Sequence, residues 1–184
     1  MFAHYADNRT QGIVAAALLA ASAVPLVAFA ATMRERARAV MPDSMLPSFV
    51  FGAGIVAAAG FVGAAGIHLA LSDYGRDLDV AAAQALNTLD ADSFVLFTAG
   101  LSALALAGSL IALRSGLLPG WLGWAGIVIA IAIFTPVGFF AACAAGVWII
   151  ASSIVLYLRG VPTREVSVPV AAARREPDME AVTS

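Results

Sequence analysis

From Trp121 to Leu158 the chain reads WLGWAGIVIAIAIFTPVGFFAACAAGVWIIASSIVLYL, without one charged residue. As a single straight helix at 1.5 Å per residue this run would be about 57 Å long. The hydrocarbon core of a bilayer is only about 30 Å thick, and tilt cannot absorb the difference. At its centre stand Thr135, Pro136, Val137 and Gly138, where proline removes a backbone donor and glycine loosens the chain. The run is therefore expected to fold back on itself as two helices, 120–134 and 139–158.

Three further apolar blocks, 13–33, 47–71 and 93–113, each match the roughly 20 residues of one crossing. Of the 184 residues 61% are hydrophobic and 12% charged, whereas soluble domains average about 25% charged. The expected fold is an all-α integral membrane bundle of five transmembrane helices, a multi-pass protein with the lipid bilayer as its first partner. The net charge of −2 and the lack of a basic patch argue against a nucleic-acid partner. All ten basic residues are arginines, which with the abundant alanine suggests a GC-rich bacterial genome and hence the bacterial inner membrane.

The arginines orient the bundle. With Arg34, Arg36 and Arg38 in the cytoplasm, as the positive-inside rule requires, five spans also place Arg114, Arg159, Arg164, Arg174 and Arg175 there. Only Arg9 and Arg76 fall outside. Four spans would export the last four of that inner set. The N-terminus is thus expected outside and the C-terminus inside, with residues 160–184 a disordered cytoplasmic tail rich in Pro, Arg, Glu and Asp. Ala28-Phe29-Ala30 offers an A-x-A cleavage pattern, but the segment before it carries Asp7 beside Arg9 rather than a basic start, so the first block is expected to stay attached.

The outer loop from Ser72 to Asp92 holds five aspartates against one arginine. Its middle, DVAAAQALNTL, can form a short amphipathic helix with Val80, Ala83 and Leu86 on one face. Asp92 is placed to cap the next helix, and Pro119-Gly120 to build the turn after Arg114. Pro25 predicts a kink in the first span.

Few residues are candidates for chemistry. His68 lies near the outer end of the second span, five residues before Asp73. Such a histidine can sense pH, relay a proton or bind a metal, or simply bond to backbone and water at the interface. His68 and Asp73 are accordingly the candidate functional pair, but two histidines make no convincing zinc site, and Asp73, Asp77 and Asp79 lack the EF-hand pattern. Cys143 is the only cysteine. No cofactor, metal or catalytic motif is read. Gly60, Gly63 and Gly66, with Ala59, put small residues on one face of the second span, which suits close helix packing or a dimer seam. Trp121, Trp124 and Tyr157 read as interfacial anchors. No Asp, Glu, Lys or Arg interrupts any span, whereas ion-coupled carriers usually need one.

LRSGLLPGWLGWAGIVIA, residues 113–130, resembles a turn common in an uncharacterised family of small polytopic membrane proteins, a domain of unknown function from high-GC Gram-positive bacteria. The matching element is Leu118-Pro119-Gly120-Trp121-Leu122-Gly123, and the glycine-rich second span and ALNTLDADSF extend the likeness over most of the chain. Members often carry one helix more at the N-terminus, with both termini inside. MFAHYADNRT resembles the outer loop after that helix, so the resemblance implies either a five-span variant or a start placed after that helix. The resemblance implies no activity and no catalytic residues. Two functions are expected to compete: a non-enzymatic bundle that serves as accessory to a membrane-protein partner or to further copies of itself, and a carrier or channel for a small neutral or lipidic molecule.

Overall fold

The computed structural model describes residues 9–74 and 79–159. Within them the chain is helical throughout: α1 (Arg9–Val40), α2 (Leu46–Tyr74), α3 (Val80–Asp92), α4 (Phe94–Ser115), α5 (Gly120–Ala132) and α6 (Gly138–Leu158). Four of these, α1, α2, α4 and α6, are long and apolar enough to cross a membrane. The fifth apolar helix, α5, has 13 residues, about 20 Å of rise.

The helices outrun the apolar blocks wherever good helix formers follow. Arg34 to Val40 extend α1 well past its last apolar turn, since Arg, Glu and Ala favour helix. Pro25 lies inside α1 without ending it. The turn after α4 is built differently from expectation. Gly116 takes the left-handed conformation, φ 68°, and its N–H bonds Ala112 O at 3.2 Å, a cap that L side chains adopt at a cost. Pro119 then precedes α5, and Gly120 is already its first residue.

Asp92 does not cap α4. It ends α3 instead, and Ser93 alone separates the two helices, its hydroxyl bonding Asp90 O at 2.7 Å. No side-chain cap bond is made at Ser93. Of the face expected on α3, Leu86 is half-buried; the side chains of Val80 and Ala83 lie outside the described residues, as does the expected disordered tail, 160–184.

Neighbouring helices run antiparallel. Arg38 meets Ser48 and Gly54 packs on Ala30 between α1 and α2. Gly100 packs on Ala57, and Phe97 stacks on Phe61, between α2 and α4. Ser102 bonds Ala130 and Gly123 sits under Leu113 between α4 and α5. Trp148 of α6 bonds Leu122 of α5 and turns its edge to Phe29 of α1, which closes the bundle. The end of α1, the start of α2, the α4–α5 turn and the end of α6 therefore share one end of the bundle. Arg34, Arg36, Arg38, Arg114 and Arg159 all belong to it. There Arg159 donates to Gly116 O at 2.8 Å and Leu117 O at 3.0 Å. α3 and the Thr135–Gly138 turn occupy the opposite end.

The centre is filled by Met33, Leu104, Ile111 and Leu122, all at most 1% exposed. Large apolar side chains also cover the outside, among them Leu18 and Val24 of α1 and Phe140, Val147 and Ile150 of α6. An apolar exterior of this extent suits hydrocarbon rather than water.

Candidate functional site

In a helix facing lipid, a hydroxyl can return its hydrogen bond to a carbonyl in the preceding turn, so that no polar group is left open. Ser22, Thr32, Ser115 and Ser153 all do so, at 2.6–2.8 Å. Against this background two polar groupings stand out.

The first is at the α3 end of the bundle. His68 pairs with Asp90. Its Nδ1 lies 3.4 Å from both carboxylate oxygens, with the two side chains 26% and 19% exposed. At that length the contact is more electrostatic than a well-formed hydrogen bond. It joins α2 to the last turn of α3, and so holds the loop helix against the bundle. Ser72, one turn beyond His68, is buried and bonds His68 O at 2.9 Å. A Cβ on Gly12 would collide with that hydroxyl, so α1 passes close by. The side chain of Asp73 lies outside the described residues. Among the described residues no three His, Cys, Asp or Glu side chains gather where they could hold a metal ion.

The second lies at the middle of the bundle around Trp148, which is 3% exposed. Its indole N–H donates to Leu122 O at 2.8 Å. A Cβ on Gly108 would stand 2.7 Å from the indole, and one on Gly126 2.9 Å. Two glycines on different helices thus make the slot that one large ring fills. Ser109 and Ser152 beside it are fully buried, and neither hydroxyl has a partner. Three further hydroxyls, nearer the α5–α6 turn, are engaged by backbone carbonyls. Thr98 bonds Val95 O, Ser102 bonds Ala130 O and Thr135 bonds Ala132 O, at 3.2, 2.8 and 2.7 Å.

Trp148 is absent from the residues that sequence reasoning singles out. Its signal was its place at the centre of a span, where an indole N–H finds no water and needs a protein acceptor. Trp121, Trp124 and Tyr157, by contrast, are exposed, as suits anchors. The small-residue face on α2 divides. Gly60 is buried but Gly63 and Gly66 are exposed, and a Cβ on Gly66 would meet nothing within 4 Å. Close approaches on α2 fall at Gly54 and Ala57.

No family model matches this chain, and neither the curated proteins nor the solved structures searched contain a match.

Proposed function

We propose that the chain is a five-span membrane protein of the bacterial inner membrane, with the arginine end in the cytoplasm, and that it works without catalysis as an accessory or scaffold for a membrane-protein partner. The gathering of five arginines at one end supports the orientation, by the positive-inside rule. The short α5 pairs with α6 as a hairpin and crosses with it, with local thinning of the bilayer.

The observation that carries the functional reading is the filled midplane. Trp148 fills the interior between α4, α5 and α6, and the threonine and serine hydroxyls nearest the α5–α6 break are spent on backbone carbonyls. A conduit would need such groups free for its passenger. The second reading, a carrier for a small neutral or lipidic molecule, draws on the unpaired hydroxyls of Ser109 and Ser152. Purification from native membranes in mild detergent separates the two. The accessory reading expects a stoichiometric protein partner that survives washing. A chain that purifies alone and speeds passage of a neutral solute into proteoliposomes would favour the carrier.

A further inference from the structure

Arg34 is the first charged side chain after the apolar stretch of α1. Its Nε is covered and lacks any hydrogen-bond partner. Its guanidinium lies over the Phe51 ring of α2, 5.0 Å from the centroid, and no carboxylate is paired with it among the described residues. Desolvating part of a cation in this way is costly unless an anion answers it. One turn further, Arg38 donates to Ser48 Oγ at 3.3 Å, so both arginines lean on the start of α2. Met45 and Phe49, on either side of Ser48 in the sequence, expose apolar side chains, 85% and 56% accessible. Glu35 and Asp43, the carboxylates nearest in sequence, are exposed.

A planar guanidinium matches phosphate oxygens two at a time. An apolar shelf beside it suits the chains of an amphiphile. We infer that Arg34 and Arg38 hold the phosphate of an anionic phospholipid, whose acyl chains run along Met45 and Phe49. Free phosphate could use the same cations but would gain nothing from the apolar side chains, so the lipid is the favoured occupant. The site does not depend on how many times the chain crosses the bilayer.

Native mass spectrometry of the detergent-purified chain tests this, with phosphatidylglycerol and phosphatidylcholine titrated in turn. The wild-type chain should retain one phosphatidylglycerol in clear preference to phosphatidylcholine. Loss of one arginine contact at an anionic headgroup should weaken retention about fivefold, so Arg34→Gln should remove most of the preference. Arg114→Gln, at an exposed position of the same end, should leave it intact. Inorganic phosphate in large excess should not displace the lipid. Equal retention of the two lipids by the wild type, an unchanged preference in Arg34→Gln, an equal loss in Arg114→Gln, or displacement by phosphate would each overturn the proposal. If Arg34→Gln does not fold, Arg34→Lys decides: it keeps the charge but not the fork, and should lose part of the preference, whereas no loss overturns the site.

Discussion

The middle of the bundle and its two ends are held by different forces. In the middle the helices approach closely over small residues. Gly100 meets Ala57, Gly54 meets Ala30, and Trp148 fits between Gly108 and Gly126. Lipid offers no hydrophobic drive between helices, so each such contact stabilises by shape alone, and a wrong side chain finds no compensation. At the ends the contacts are polar: His68 with Asp90, Arg159 with the carbonyls of Gly116 and Leu117. Water and headgroups can replace those. Substitutions in the middle should therefore cost far more than charged-to-neutral changes at the ends.

The largest effect is expected from Gly100→Leu. A Cβ there would stand 2.6 Å from Ala57 Cα, a collision with backbone that no rotamer relieves. Overpacking commonly costs about 1–3 kcal/mol, and this site should lie at or above the top of that range. Folded yield and detergent melting temperature measure it, and a wild-type melting temperature would break the distinction between middle and ends. Next comes Trp148→Phe. It removes the bond to Leu122 O and part of the ring that fills the glycine slot, and should cost about 2 kcal/mol. Chemical denaturation in mixed micelles reads this directly.

His68→Ala should cost under about 1 kcal/mol, because the pair it breaks is long and partly solvated. Its signature is local. Hydrogen exchange in α3 should quicken while the centre of α4 stays protected. A global loss of stability would make His68 part of the core rather than of the end. Smallest of all are Gly63→Leu and Gly66→Leu. Both positions are exposed, and the only penalty expected is a changed contact with lipid. A large drop in melting temperature for either would reveal a seam between copies on that face.

What the sequence makes legible follows the same division. Apolar block length is a strong signal in a chain that must span hydrocarbon, and helices occupy all five blocks. The break at Pro136 was visible because proline and glycine act locally. Which face of α2 packs was not. In an Ala- and Gly-rich helix nearly every face is small, so spacing cannot choose between Gly54 and Gly63. Asp90 was not legible as a partner of His68 for a related reason. Asp73 is five residues from His68 in sequence, yet α3 and the single residue Ser93 bring Asp90 back to it from 22 residues away. Asp92 looked like a cap only while the loop helix was taken to stop before it. Trp148 was hidden by company: the two tryptophans at span ends drew the reading as interfacial anchors, and the third, at mid-span, drew none.

The distinction between middle and ends rests on Thr135–Gly138 being an end. Val137 is 54% exposed there, and Gly138 opens α6 where a Cβ would collide with Ile133 O. The direct measurement is accessibility of Val137→Cys in a Cys143→Ala background, in intact cells, to a maleimide that cannot cross the membrane. A five-span chain with its arginines in the cytoplasm predicts rapid labelling from outside, with no increase after permeabilisation. Labelling only after permeabilisation would put the turn on the arginine side or within the bilayer, and would contradict both the hairpin crossing and the orientation.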